Sequence, residues 1–464
     1  MAHHSGLPAD YLKGMWVEKP DSLSRLVDTL KEESLASPPQ TQYKYSNLDF
    51  SLLGRIIEKI SGEDYETAMQ RDLLQPLGMI HSSFGLIPDF GNYYSKGYRE
   101  GKEMRRLSLR DLPAGSMLSN VRDMAQFMRF IFAEGSSQES RVLNPETLKE
   151  MFTPQYRGLA LDFGHEIGMA WMLNGLEVSG VSRIAWHDGG YPPFFGTLTV
   201  LPEQKLGVVI LANTAEARSF GNQVSLKAME LALEAKYGIQ PPQPPPPPQF
   251  KPVKVPIQTL QKYAGDYVIF GGLSAISQKG EKLNVTAMGN RLDLVPINHD
   301  TFIPAKMLFG LISIPLMNYP VQFETVEGRD VALLKGLPAP FPFEKIPHYL
   351  VPEAWVKRLG EYRMEHPEEL FEIKKMSLKS EGGVLFLNLN LSSEPFGVKD
   401  AETRSACGVQ DLPHRFGSAE VSAKCRCLIN RSTRPCKSGA SHSFFTTVSP
   451  IVRLKKSAIP HFKR

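Results

Sequence analysis

Seven of the eight residues from Pro241 to Pro248 are proline, and no other run constrains this chain as much. Proline has no amide donor and a fixed φ, so such a run enters neither a helix interior nor a central strand. It favours polyproline II and reaches roughly 25 Å as a semi-rigid spacer. The chain therefore divides into residues 1–240, a linker over 241–252, and residues 253–464. A Pro-rich recognition motif is the alternative reading of the run, and a bare linker is the simpler one.

Before the linker the pattern is mixed. Over 48–61, Leu48, Leu52, Ile56 and Ile60 share a helical face, flanked by Leu53 and Ile57. Asn47 stands where an N-cap belongs and Gly62 where the helix stops. A second helix is predicted over 121–134, entered through Ser119-Asn120 and stopped at Gly135. Strand-like runs come next at 181–187, 194–201 and 206–212, joined by turns over 188–193 and 202–205, which predicts an antiparallel meander. A helix over about 217–236 closes the region, with Leu226, Met229, Leu231 and Leu233 expected to cover the sheet.

After the linker, residues 253–400 read as mostly strand, alternating over 283–287 and 321–326. Leu260 to Tyr267 is echoed by Lys357 to Tyr362, placing Tyr267 and Tyr362 ninety-five residues apart at the head of two β modules. Residues 401–464 lose periodicity and hold 12 Lys+Arg against 3 Asp+Glu, the composition of a disordered basic tail. Residues 1–400 hold 41 against 46, a mildly acidic balance that argues against a nucleic-acid footprint. All four cysteines (Cys407, Cys425, Cys427 and Cys436) lie in the tail, without zinc spacing. There is no run of eighteen apolar residues, so no membrane span is expected. Nothing in the sequence fixes compartment or oligomeric state.

Two segments carry candidate chemistry: Tyr45-Ser46-Asn47 before the first helix, and His187-Asp188-Gly189-Gly190 at a strand end. With His4-Ser5-Gly6-Leu7-Pro8, Pro76-Leu77-Gly78-Met79, Pro113-Ala114-Gly115-Ser116-Met117-Leu118-Ser119 and Leu211-Ala212-Asn213, their order and spacing resemble the serine β-lactamase and penicillin-binding protein family in its class C-like branch. The resemblance covers about residues 1–236. It implies a β-lactamase/transpeptidase-like α/β (α+β) fold: an antiparallel sheet, packed helices and a helical lobe, here followed by a β-rich, barrel-like region. It also implies roles. A serine attacks an amide or ester carbonyl, and a lysine one helical turn later keeps it deprotonatable. Tyr45 would be the proton relay, Asn47 the orienting amide, His187 the wall residue and Gly190 the oxyanion donor.

The sequence departs from that family at its first motif. No lysine of the chain has a serine three residues before it, so Ser-x-x-Lys is absent. In the family the nucleophile stands a few tens of residues before the His-Ser-Gly-Leu-Pro segment, where this chain has only Met1-Ala2-His3. The resemblance therefore implies a missing nucleophile helix, missing flanking strands and an open sheet edge. Residue by residue, plainer roles compete: N-capping explains Asn47, a half-buried aromatic explains Tyr45, and Asp188 either charges His187 or caps a turn. His3-His4 lacks a third metal ligand, and Ser5 sits in a turn. The expected function is a serine hydrolase acting by acyl transfer on a small-molecule or peptide substrate, without cofactor or metal and inactive as this chain. The alternative is a non-catalytic binding or assembly protein that keeps the fold.

Overall fold

In the computed structural model, residues 2–11, 15, 20–85, 93–240, 251–407, 422–423 and 452–456 are described, apart from gaps at 32, 34, 105–107, 139, 192, 270–271, 288–289, 309–311, 317–318, 337–339, 347–350, 365–371, 382–383 and 394–397. The linker prolines and most of the stretch expected to be a tail lie outside them. The chain sorts into two units, residues 1–9 with 14–244, and residues 245–464 with 10–13.

The first unit contains helices α1 (Leu23–Leu30), α2 (Asn47–Ser61), α3 (Tyr65–Met69), α4 (Leu112–Gly115), α5 (Val121–Phe132), α6 (Pro145–Met151) and α7 (Gly221–Tyr237). A short hairpin joins β1 (Gly97–Arg99) to β2 (Lys102–Met104), and a three-stranded antiparallel sheet runs β3 (Ala185–Tyr191), β4 (Phe194–Leu201), β5 (Leu206–Ala212). Helices cover both faces of the sheet. Leu198, Val200 and Val209 join a cluster with Phe130 and Ile131 of α5, while Leu201 and Val208 pack with Met229 and Leu233 of α7.

Three local expectations are corrected. The strand expected at 181–187 runs Ala185–Tyr191, so the segment read as a turn is mostly strand. Gly189 and Gly190 add no side chain to resist pairing with Gly196 and Phe195. Leu231 does not cover the sheet: two residues past Met229 is about 200° around a helix, and Leu231 is 54% exposed. The face of α2 also differs. Ile56 and Ile60 are 49% and 83% exposed, whereas Leu48, Asp49, Ser51 and Gly54 are buried. Close approach decides this: a Cβ on Gly54 would meet Pro113 Cγ of α4 at 2.1 Å. Small residues admit α4 there, which an apolar count does not detect.

The second unit opens with α8 (Ile257–Tyr263). Its strands are β6 (Gly265–Ile269), β7 (Gly272–Lys279), β8 (Lys282–Ala287), β9 (Asn290–Pro296), β10 (Thr301–Leu308), β11 (Ile312–Pro315), β12 (Val321–Val326), β13 (Arg329–Leu334) and β14 (Phe341–Lys345). Because β10 pairs with both β9 and β12, eight of these close into an antiparallel barrel with β11 as an extra strand on β10. Its interior is filled, with Tyr267, Leu283, Phe302 and Phe323 buried. Asn284, in a glycosylation triplet, is buried and accepts from Arg291 Nε at 2.7 Å.

The internal echo has a structural counterpart. After α9 (Glu353–Val356), β15 (Gly360–Met364) starts a second sheet with β16 (Glu372–Glu381), β17 (Val384–Ser393), β18 (Val398–Cys407), β19 (Ser422–Ala423) and β20 (Val452–Lys456). Pro256 and Pro352 cap the two helices, and Gly265 and Gly360 turn the chain at φ 148° and 142°, a backbone that favours glycine. Tyr267 then donates its hydroxyl to Tyr263 O at 2.9 Å, and Tyr362 donates to Arg358 O, each four residues back. β18 runs on to Cys407, past the 400 boundary set from composition.

Gly54→Ala tests the α2–α4 contact. In an exposed helix this change gains about 1 kcal/mol, but overpacking costs about 1–3 kcal/mol. The variant is expected to lose stability in denaturant unfolding, and Gly54→Ala combined with Pro113→Ala to recover most of the loss.

Candidate functional site

The segment 3–9 lies against residues 36–47 through backbone bonds. His3 O accepts Lys44 N–H at 2.8 Å, His4 O accepts Gln40 N–H at 2.8 Å, Gly6 O accepts Ala36 N–H at 2.7 Å, and Ala9 O accepts Asn47 N–H at 2.7 Å. Gly6 is needed for this fit, since a Cβ there would lie 2.2 Å from Ser37 O. The arrangement fixes Tyr43 to Asn47 immediately before α2.

The N-cap of α2 is Ser46, not Asn47. Ser46 Oγ accepts Asp49 N–H at 3.2 Å and donates to Pro8 O at 2.7 Å. Asn47 is the first helical residue, so capping does not account for its side chain. Ser5 is likewise committed: its hydroxyl donates to Asp49 Oδ1 at 2.5 Å and accepts Leu7 N–H at 3.0 Å. Asp49 is fully buried, and burial pushes its carboxyl pKa up.

Tyr45 stacks on His3 with centroids 4.3 Å apart, and His187 stands 6.2 Å away in a tilted arrangement. Tyr43 and Phe50 enclose His3 at 5.9 and 5.4 Å. His3 Nδ1 accepts Ser46 N–H at 3.0 Å, which assigns the ring proton to Nε2. That atom is buried without a hydrogen-bond partner among the described residues. Burial, then the neighbouring His187, holds the His3 pKa down to about 3. Burial also lowers His187, outweighing the adjacent Asp188 carboxylate. Two neutral imidazoles therefore flank the Tyr45 ring at neutral pH.

His4 points elsewhere. Its Nδ1 donates to Ala2 O at 2.6 Å and its Nε2 meets Asp162 Oδ2 at 2.9 Å, while Tyr156 stacks on it at 4.4 Å. Asp162 Oδ1 accepts Tyr43 N–H at 2.5 Å. Among the described residues no three His, Cys, Asp or Glu side chains form a group that could hold a metal. No helix among them is long and apolar enough to cross a membrane.

Of the residues singled out in the sequence, Tyr45 and His187 meet, and Asn47 stands two positions past Tyr45 at the start of α2. Gly190 is exposed near the end of β3, paired with Phe195 and roughly 10 Å along the strand from His187. Asp188 alternates to the other side of the strand, where Asn222 Nδ2 donates to it at 3.0 Å and Arg218 lies 3.9 Å away. His3, Asp49 and Asp162 were not singled out as site residues. Asp162 is 119 residues from Tyr43 and carries no local signal.

The fold is of the β-lactamase/transpeptidase class. The β-lactamase family model matches residues 1–228. The chain is 29% identical over 235 residues to the human putative beta-lactamase-like 1, covering 48% of this chain and 45% of that protein. It is 24% identical over 223 residues to protein flp of Staphylococcus aureus, covering 46% and 42%. The chain thus spans less than half the length of either relative. Among solved structures, SurE with D-Leu superposes at a TM-score of 0.50 with 21% identity, covering 74% of this chain and 76% of that one, a likeness of fold. Residues 1–228 match the β-lactamase family, a family related to the serine hydrolases.

The neutral state of His3 has a measurable consequence. Unfolded, its imidazole takes up a proton below about pH 6.5; folded, it stays neutral to about 3. The unfolded state binds more protons in that window, so stability falls as pH drops from about 6.5 toward 3, by at most about 5 kcal/mol from this group. His3→Asn, which suits the residue's positive φ of 57°, is expected to flatten that slope relative to the unmodified chain in unfolding measured across this range.

Proposed function

We propose that residues 1–240 form the Tyr/His wall of an acyl-transfer cleft for an amide, peptide or ester carbonyl. Tyr45 would relay the proton to or from the leaving group, Asn47 would orient the substrate amide, His187 would line the opposite wall, and the Gly190 N–H would donate to the developing oxyanion. The contact of the Tyr45 ring with His3 and His187, at 4.3 and 6.2 Å, carries this reading, because it gathers a phenol and two neutral imidazoles in one place. Neither imidazole brings a positive charge to the phenol, and no Ser-x-x-Lys supplies a nucleophile. This chain alone therefore binds such a substrate without forming an acyl-enzyme. In this proposal residues 241–252 act as a spacer, 253–400 as a β-rich accessory region and 401–464 as a basic tail.

A second reading, a non-catalytic binding or assembly protein on the same fold, comes from the absent Ser-x-x-Lys. A fluorescent penicillin and a fluorescent acyl-D-Ala-D-Ala peptide, each tested for covalent labelling and for reversible binding, separate the two. The expected result is no label surviving denaturation, with reversible binding weakened about tenfold or more by Tyr45→Phe or His187→Ala. Stoichiometric covalent labelling would overturn the inactive assignment. Absence of reversible binding to both probes would overturn the cleft and leave the assembly reading.

A further inference from the structure

Away from Tyr45 and His187, the first unit holds a cavity of about 550 Å³. It opens between the end of α5, helix α6, the loop over 154–173, the start of β3 and the turn from β4 to β5. That volume lies within the range of small-molecule sites. None of Tyr45, Asn47, His187 or Gly190 lines it, and every residue that does lies between 131 and 205.

The walls are fastened to one another by neighbouring segments. The Met169 N–H donates to Met151 O at 3.0 Å and the Gln155 N–H to Ile167 O at 2.8 Å, which ties the loop to the end of α6. Gly168 admits this approach, since a Cβ there would lie 2.2 Å from Met151 O. Gly207, just past the turn, lets β5 approach α5 in the same way, because a Cβ there would meet Met128 Sδ at 2.5 Å. Pro145, Pro154 and Pro202 stand on three different walls, each with φ fixed by its ring. A cavity built this way loses little freedom when it is filled.

Its lining is of two kinds. Phe132, Phe152 and Leu173 pack on the core cluster and stay half-buried, which leaves apolar surface toward the cavity. Trp171 backs the Phe152 ring, with centroids 5.2 Å apart. Eight charged side chains surround that floor, four of each sign. Glu203 is taken by Arg183 at 3.7 Å and by the Ser182 hydroxyl at 3.4 Å. The other six are Lys149, Arg157, Lys205, Glu134, Glu146 and Glu166. All six are exposed, and none makes an ion pair or a side-chain hydrogen bond among the described residues.

We infer that this cavity binds a short peptide with an apolar body and both ends free. The charge arrangement selects it. An apolar anion would face three open carboxylates, and an apolar cation three open bases. A rim with no net charge also has no field to draw in a polyanion. A ligand carrying one charge of each sign finds an unpaired partner for both, while its apolar part covers Phe132, Phe152 and Leu173. Exposed pairs contribute modestly, so the floor supplies most of the affinity and the rim the selectivity.

The test is calorimetry on the full chain with three probes: Leu-Phe-Leu with free ends, the same tripeptide acetylated and amidated, and decanoate. The free tripeptide is expected to bind saturably, about fivefold or more tighter than either of the others. Leu173→Trp, which fills the cavity, is expected to weaken it about tenfold or more. Lys149→Glu combined with Arg157→Glu, both exposed, is expected to weaken it about fivefold with the melting temperature little changed. Tyr45→Phe and His187→Ala are expected to leave it as it was, which separates this cavity from the proposed acyl-transfer cleft. No saturable binding of the free tripeptide would overturn the inference. So would equal affinity for the blocked tripeptide or for decanoate. Weakening by Tyr45→Phe with none by Leu173→Trp would move the peptide to the cleft and overturn it as well. If Leu173→Trp does not fold, the double charge variant decides, and unchanged affinity there rejects the cavity.

Discussion

The candidate site depends on one buried carboxylate. Asp162 accepts the Tyr43 N–H and pairs with His4, joining the segment 3–9, the stretch entering α2 and the turn at 160–162. Both ring nitrogens of His4 are held, Nδ1 by Ala2 O and Nε2 by Asp162 Oδ2. A buried polar pair held this way stabilises mainly by penalising its own disruption, because removing either partner leaves the other's polar atoms without water. The clamp fixes where Tyr43 sits, and two residues later the backbone delivers Tyr45 to His3 and His187.

Opposite electrostatics prevail a few ångströms away. His4 is paired with a carboxylate, while its neighbour His3 has a lone-pair partner at Nδ1 and no acid beside it. Burial wins at His3 and His187, and both are neutral. Neutral rings can accept and donate hydrogen bonds but lend no charge to a departing proton. In the mechanism the resemblance implies, a serine and a lysine supply that chemistry, and this chain has no Ser-x-x-Lys.

The second unit uses one local device twice. A proline-capped helix, a glycine turn and a tyrosine hydroxyl returned to a carbonyl four residues earlier start both the barrel and the second sheet. In the barrel, Tyr267 is buried against Phe323, so the device anchors the first strand into the core as well as turning the chain. Closure by β9–β10 pairing then removes the edges that an open sheet would leave.

The sequence by itself determined the elements whose signals are local. Caps and periodicity placed α5, strand-like runs placed β4 and β5, alternation placed β8 and β12, and the Tyr267/Tyr362 echo marked both modules. Motif order carried the resemblance to the family and brought Tyr45 and His187 forward as residues of one candidate site. Tertiary structure decided what depends on residues far apart. The face of α2 is set by Pro113 reaching Gly54, because close backbone approach needs small residues rather than apolar ones. Ser46 rather than Asn47 took the cap because Pro8 holds its hydroxyl in place. The neutral state of His3 and His187 came from burial, and the placement of His4 from Asp162. Desolvation and pairing act through space, and their strength is fixed only when the chain has closed around them.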